Sequence, residues 1–171
     1  MESTQFNNQI LNHSDKLFRL AKSILRDGEA ARDAVQELIM KLWEKRAQLN
    51  EVENIQAFTM RSMRNLCLDS IRRNRDEDEL SPELEYIELN PFQQTEQKDL
   101  ASRIRNMIDR LPELQRTIIR MRDVEEMELS EIAYVTSITE NAVSANLSRA
   151  RQKIRAQILN EHKRVEERIW K

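Results

Sequence analysis

Hydrophobic residues recur along the chain at the three- and four-residue spacing of amphipathic helices. In the first half this spacing predicts helices over 15–26, 29–46 and about 55–75. In the second half it predicts a helix over about 100–111, another beginning near Pro112, a short one over 129–136 and a long one over 139–158. The sequence therefore predicts an all-α protein.

A change in character separates the two groups of helices. Residues 74–99 hold two basic and nine acidic residues and two of the three prolines, whereas residues 1–73 and 100–171 carry net charges of +2 and +3. Like charges repel and prolines interrupt helices, so this segment is typical of a largely extended linker or a solubilising spacer. We predict two small helical domains, 1–75 and 99–171, joined by an acidic linker over 76–98.

Composition excludes several classes of protein and site. One glycine and three prolines among 171 residues are too few for a β-sandwich, a β-barrel or a glycine-rich nucleotide-binding fold. The single Cys67 and the distant His13 and His162 exclude a disulfide framework and predict no metal site and no cofactor. The chain shows neither a signal-peptide pattern nor a long apolar run, so we expect a cytoplasmic protein.

Two predicted helices of the first half carry distinctive polar faces. The helix over 29–46 has an acidic and amide face, for which plain solvation is the simplest explanation. The helix over about 55–75 has a basic stripe, because its arginines fall on one side at 100° per residue. Arginine can bind phosphate through two hydrogen bonds, so this stripe is either a solvated face or a nucleic-acid contact. Its members are Arg61, Arg64, Asn65, Leu68, Arg72 and Arg75.

The last two predicted helices form a helix-turn-helix pattern. Ser130 is a candidate N-cap for the first, and Thr139 or Asn141 for the second, while Gly28 is a candidate C-cap at the end of the helix over 15–26. A helix-turn-helix places its second helix in the DNA major groove, although generic helical hairpins share the pattern. The predicted groove side contains Ser144, Ala145, Ser148, Arg149 and Gln152, with Arg151, Lys153 and Arg155 placed for phosphates.

Three segments in this order resemble one known family. They are DAVQELIMKLW (33–43), AFTMRSMRNLCLDSIRR (57–73) and the run from 111 to 155 that contains the helix-turn-helix. Together with the acidic connector between them, they resemble the extracytoplasmic-function sigma factors of bacterial RNA polymerase. The resemblance extends from about Leu17 to Arg155. It implies a non-enzymatic protein that docks on core RNA polymerase, selects a promoter and helps to open it.

The resemblance also implies three sets of functional residues. The first domain would recognise the minus-ten element, with the loop over 47–54 capturing an unstacked base, and the second would recognise the minus-thirty-five element. Polymerase docking would fall on Asp33, Gln36, Glu37, Met40 and Lys41. Minus-ten DNA would contact Arg61, Arg64, Asn65, Arg72 and Arg73. Minus-thirty-five DNA would contact Asn141, Ser144, Ala145, Ser148, Arg149, Arg151 and Lys153.

The sequence departs from the family pattern in the predicted recognition helix. Asn141 stands where relatives often have glycine, and Ser144, Ala145 and Asn146 stand where they often have a basic–serine–basic run. The loss of two basic groups predicts a weaker or different minus-thirty-five contact, carried more by Arg149 and Arg151. Two alternatives stay open: a stand-alone helix-turn-helix repressor, and a sigma-like decoy that binds an anti-sigma protein. An anti-sigma factor is a possible partner in either sigma-like case.

Overall fold

In a computed structural model, the backbone is described for residues 1–77 and 96–169, and side chains for 1–74 and 100–160. These residues form α-helices and short 3-10 turns, with no strand in the described ranges, which confirms the all-α prediction. Residues 78–95 of the predicted linker over 76–98 lie outside them, while its two ends are helical, in continuation of the neighbouring helices. The helices are α1 Ser3–Gln9, α2 Ser14–Leu25, α3 Gly28–Glu44, α4 Ile55–Glu77, α5 Glu96–Asp109, α6 Glu113–Asp123, α7 Leu129–Thr136 and α8 Glu140–Ile169.

The first half is built on α2, α3 and α4, whose apolar stripes meet in one core. Leu17, Leu38, Met63 and Cys67 lie in this core with at most 3% of their surface exposed. Burial raises the pKa of the Cys67 thiol to about 12, as expected for a small core residue. Helix α1 was not predicted, and it is held to α3 by an edge-to-face contact of Phe6 with a tryptophan ring.

The turn between α2 and α3 corrects the predicted role of Gly28. This glycine is the first residue of α3, and Arg26 takes the left-handed conformation at the C-cap of α2, with φ of 60°. The reason is the side chain of Asp27, which accepts hydrogen bonds from the backbone N–H groups of Glu29 and Ala30. Because Asp27 is the N-cap of α3, the left-handed position falls at Arg26, two residues before the predicted Gly28.

The second half is a four-helix unit, α5 to α8, in which α7 and α8 form the predicted helix-turn-helix. The N-cap prediction for Ser130 is wrong, because Glu128 occupies the cap and forms a capping box with Glu131. At α8 the hydroxyl of Thr139 accepts a hydrogen bond from the N–H of Ala142, as one of the two predicted caps. The turn between them passes through Ser137 in the left-handed conformation.

The two halves lie against each other. Helix α2 packs on α6, α4 packs on α7, and the buried residues of both halves form one continuous apolar cluster. Nothing in the length and charge of the connector predicted this contact. Within α4, Thr59 and Met60 are buried together with Met63 and Cys67 of the predicted inner side.

Candidate nucleic-acid and protein interfaces

The acidic and amide face of α3 lies open to solvent. Asp33, Gln36, Glu37, Met40 and Lys41 are all exposed, as a continuous patch on the side of the helix away from the core. Lys41 forms an ion pair with Glu37 one turn earlier. Met40 leaves 64% of its surface in water, which is unusual for a flexible apolar side chain at the centre of a polar patch. This combination of charge around an exposed methionine suits a protein partner.

Helix α4 divides the predicted basic stripe into two parts. Asn65, Arg72 and Arg73 are exposed, although Arg72 lies 3.4 Å from Asp69 on the same helix. Arg61 and Arg64 are partly covered by the second half of the chain. The side chain of Arg75, which the stripe also included, lies outside the described residues.

The exposed end of α4 and the α3 patch share a hollow of about 460 Å³. Lys41 contributes to it from α3, and Leu66, Asp69, Arg72 and Arg73 contribute from α4. Three cations therefore surround one acid, a distribution that suits a phosphate group. The hollow makes the polar patch of α3 and the exposed part of the basic stripe of α4 neighbours.

The loop over 47–54 is partly ordered by its own contacts. Leu49 is buried and anchors a 3-10 turn over Gln48–Glu51, while Gln48 and Asn50 remain exposed. Asn54 ends the loop: its side-chain oxygen accepts from the N–H of Ala57 in the first turn of α4. The loop is thus a fixed rim with polar side chains pointing outward.

The predicted groove side of α8 is fully accessible. Asn141, Ser144, Ala145, Ser148, Arg149, Arg151 and Lys153 are all exposed. Asn146, one of the departures from the family pattern, is half-buried and donates a hydrogen bond to the carbonyl of Ala142 on its own helix. It therefore stabilises α8 locally instead of presenting its amide to a ligand.

The arginines of α8 differ in how far they are engaged. Arg151 donates two hydrogen bonds to Asp123 at the end of α6, at 2.6 and 3.3 Å, and this carboxylate raises the pKa of Arg151. Arg149 and Lys153 form no ion pair with the residues that the structure describes. Arg149 is therefore the arginine of this face whose charge is available without breaking an existing contact.

Sequence reasoning missed two features. One is an apolar groove of about 480 Å³ between α5, α6 and α8, lined largely by isoleucines such as Ile108, Ile119 and Ile154. The apolar spacing that continues to Ile158 and Leu159 was its only sequence signal. The other is the set of second-half side chains that contact α2, α4 and the residue before α4. No local pattern marks them, because their partners lie 49 to 109 residues away.

Within the described residues, no three His, Cys, Asp or Glu side chains are grouped as metal ligands. None of the helices in the same part of the chain combines the length and the apolar character needed to cross a membrane.

Comparison with known proteins matches each half of the chain to a region of one protein family. The family Sigma-70 region 2 matches residues 10–77, and the family Sigma-70, region 4 matches residues 101–154. The RNA polymerase sigma factor SigV of Bacillus subtilis is 28% identical over 153 residues, covering 89% of this chain and 90% of SigV. The ECF RNA polymerase sigma factor SigW of the same organism is 23% identical, covering 85% and 84%.

Solved structures show the same fold. The sigma factor RpoE from Bartonella quintana, in complex with the anti-sigma factor NepR, matches with a TM-score of 0.70 and 20% identity over 90% of this chain and 96% of that one. CnrH, in complex with the cytosolic domain of CnrY, matches with a TM-score of 0.62 and 20% identity over 92% and 89%.

Proposed function

Because this chain belongs to the sigma-70 family, in its extracytoplasmic-function group, we propose that it binds core RNA polymerase, recognises minus-ten and minus-thirty-five promoter elements and promotes promoter opening. The observation that carries the proposal is the match of both sigma regions, in order, to the two halves that bear the exposed α3, α4 and α8 surfaces. Such proteins act as DNA-binding regulators and not as enzymes. We propose the cytoplasm, where core polymerase works, as their place of action.

The patch on α3 is the proposed polymerase-docking surface. Asp33, Gln36, Glu37 and Lys41 supply charges and amides that can pair across an interface, and Met40 supplies an adaptable apolar centre. Interfaces commonly derive most of their affinity from such a centre, with the surrounding polar groups setting the orientation. A DNA duplex would not favour an acidic patch, so a protein partner suits this surface better.

Helix α4 and the loop before it form the proposed minus-ten site. Arg61, Arg64, Arg72 and Arg73 can bind backbone phosphates, and the amide of Asn65 can form paired hydrogen bonds with a base edge. Extrusion of a base costs a few kcal/mol, which contacts in a surrounding pocket can offset. The fixed rim over 47–54 lies next to α4 and suits that role.

Helix α8 is the proposed minus-thirty-five helix. Its exposed groove side is made of small and amide side chains, Asn141, Ser144, Ala145 and Ser148, which allow close approach to base pairs. Arg149, Arg151 and Lys153 then supply the phosphate contacts. With so few cations, the affinity of this half alone for duplex DNA should be low, so stable promoter binding should require polymerase.

Reconstituted transcription tests the proposal. Purified chain and core polymerase would be assayed on promoters identified by sequencing the DNA that the chain and polymerase occupy together in cells. We expect specific transcripts only when both proteins are present. A chain that binds polymerase but gives no specific transcript from any such promoter would contradict the proposal. A stable dimer with tight duplex binding in the absence of polymerase would instead identify a stand-alone repressor.

An anti-sigma partner is a second proposal, favoured by one observation. Both solved relatives described above were determined in complexes, RpoE with the anti-sigma factor NepR and CnrH with the cytosolic domain of CnrY. We propose that this chain also has an anti-sigma partner that competes with core polymerase. Affinity purification from cells should recover it in a complex that lacks polymerase subunits. Recovery of that protein alone, with polymerase never bound, would indicate a decoy.

A further inference from the structure

One of the seven methionines of the chain differs from the others in its exposure to water. Met1 is partly buried and packs against the apolar core, whereas Met40 of α3 is 64% exposed. The other five have at most 5% of their surface exposed, and they are Met60, Met63, Met107, Met121 and Met127. The thioether of Met40 is therefore the one that a reagent dissolved in water reaches most readily.

The characteristic reaction of an exposed thioether is oxidation by peroxides to a sulfoxide. The sulfur lone pair attacks one oxygen of hydrogen peroxide, the O–O bond breaks, and the proton of the transferred oxygen passes to the departing hydroxide. Sulfur loses two electrons and peroxide gains them, so the products are methionine sulfoxide and water. The sulfur and the oxidant must meet for this reaction, so its rate follows exposure.

The thiol of the chain does not compete for the same oxidant. Cys67 is buried in the core of the first half, and burial raises the pKa of its thiol to about 12. At neutral pH this group is a protonated thiol, which is far less reactive than a thiolate. A limiting amount of peroxide is therefore expected to modify Met40 before Cys67.

The position of Met40 gives its oxidation a consequence. It lies at the centre of the α3 patch, with Gln36 and Glu37 one turn earlier and with Lys41 next to it, paired with Glu37. A sulfoxide replaces a flexible apolar group with a polar one, whose oxygen needs a hydrogen-bond donor when it is buried. An interface fitted to the apolar thioether would have to desolvate that oxygen, at a cost in affinity.

We propose that Met40 is a site of methionine-sulfoxide modification, and that its oxidation by peroxides weakens docking of the chain on core polymerase. The effect on docking rests on the proposed function of the α3 patch, whereas the modification itself rests on exposure. The change is reversible in chemistry, because methionine sulfoxide reductases return the sulfoxide to the thioether. The sulfoxide oxygen then leaves as water, and two thiols of the reductant become a disulfide.

Mass spectrometry of the full-length chain tests the modification site. The chain would be treated with hydrogen peroxide for increasing times, the remaining peroxide removed with catalase, and each methionine peptide quantified for the addition of one oxygen. We expect Met40 to be oxidised at least about tenfold faster than each of the five buried methionines. Circular dichroism would verify that the helices persist. A buried methionine oxidised as fast as Met40 would overturn the assignment.

A titration with untreated core polymerase tests the effect on docking. Fluorescence anisotropy of labelled chain would give the affinity before and after conversion of Met40 to the sulfoxide. We expect conversion to lower the affinity by at least about fivefold. Treatment with the two stereospecific methionine sulfoxide reductases and dithiothreitol should restore it. Full conversion of Met40 with unchanged affinity would overturn the effect on docking.

Three variants show whether the sulfur at this position is responsible. Met40→Leu has no thioether there, so its affinity, whatever its starting value, should be the same before and after peroxide. Combined with Asn8→Met, it moves the exposed thioether to α1, outside the proposed binding surfaces, where oxidation should leave affinity unchanged. Met40→Gln, a polar side chain of similar length, should bind more weakly than Met40→Leu without any oxidation. A loss on oxidation of Met40→Leu as large as in the parent chain would place the effect elsewhere.

The unoxidised chain separates this inference from the proposed function. Absence of polymerase binding before oxidation would contradict the sigma activity, and with it the effect on docking, while the peptide masses would still show whether Met40 is the modification site. Polymerase binding with specific transcripts, both insensitive to the oxidation of Met40, would contradict the effect on docking alone.

Discussion

The two basic helices, α4 in the first half and α8 in the second, hold their charges in opposite ways. Helix α4 is rich in arginine, but Arg61 and Arg64 are in contact with Tyr134 and Glu113 of the other half. Helix α8 has few basic residues on its groove side, yet that side touches nothing in the described structure except through Arg151. In α4, Arg61 and Arg64 are therefore partly covered while Arg72 and Arg73 stay exposed, whereas the fewer basic residues on the groove side of α8 are all exposed.

The positions of the helices explain this difference. Helix α4 is central, with α2 and α3 on one side and α7 on the other, so part of its polar stripe meets the second half. Helix α8 packs on α5, α6 and α7 with one face only, and its opposite face remains in solvent. The exposure of basic side chains in this chain thus depends on the contact between the halves as well as on their number.

The largest expected effect is a loss of stability when core residues are substituted on either side of the contact between the halves. Met63→Ala in the first half and Ile118→Ala in the second should each lower the free energy of unfolding by about 2–5 kcal/mol, because both side chains are completely buried. If the halves form one cooperative unit, urea unfolding followed by circular dichroism should show one transition that both variants shift.

Exposed Gln152 supplies the control for the core variants, since Gln152→Ala should change stability by no more than about 0.5 kcal/mol. Two transitions, of which Ile118→Ala moved only one, would show that the halves unfold independently. The continuous apolar cluster would then add little to stability.

Much of the helical framework could be predicted from the sequence. The stripes that begin at Leu17, Ala30, Leu100 and Leu114 are long enough for their period to identify α2, α3, α5 and α6. Helix α1 was missed because seven mostly polar residues carry no stripe. The caps at Gly28 and Ser130 were misplaced because neighbouring acids are the N-caps: Asp27 starts α3, which makes Gly28 its first residue, and Glu128 starts α7.

The candidate site likewise has a part that could be predicted from the sequence and a part that could not. The exposure of Asp33, Gln36, Glu37, Met40 and Lys41 could be predicted from the period of α3, since the opposite face is apolar. Partial coverage of Arg61 and Arg64 did not, because Tyr134 and Glu113 come from distant parts of the chain. Electrostatic pairing between remote segments depends on how the halves pack, and a helical period carries no information about that.

The next largest expected effect is on polymerase binding by the α3 patch, which the contact between the halves leaves exposed. Gln36→Ala combined with Glu37→Ala should weaken core polymerase binding by about 1–3 kcal/mol, because both side chains are exposed on the proposed docking patch. Fluorescence anisotropy of labelled chain titrated with core polymerase would measure it. Glu29→Ala, which removes an exposed acid from the same helix, is the control. Equal affinity of the double variant and the control would show that docking lies elsewhere.

Asn65 and Arg64 allow the covered and uncovered parts of α4 to be compared. Asn65→Ala should weaken binding of a minus-ten single strand by about 1–3 kcal/mol, because the exposed amide forms no hydrogen bond with the described residues and can bind a base edge directly. Arg64→Ala loses a DNA contact but also releases Glu113, so its net effect on the free chain should be smaller. In the polymerase complex both should impair promoter opening and leave polymerase affinity nearly unchanged. A larger loss for Arg64→Ala in the free chain would mean that Glu113 does not compete with DNA.

The smallest effect separates two arginines of α8. Arg149→Ala should weaken duplex binding by the polymerase complex by about 1 kcal/mol and reduce its salt dependence by about 0.9 units of log–log slope, the release of one counterion. Arg151→Ala should cost less, because Arg151 must first give up its hydrogen bonds to Asp123. Electrophoretic mobility shifts at several salt concentrations would measure both. Opening of a pre-melted template, which does not depend on duplex contact, should be unaffected by either change. If the two variants weakened binding equally, the ion pair with Asp123 would not reduce the contribution of Arg151 to DNA binding. The difference in engagement between Arg149 and Arg151 would then have no effect on affinity.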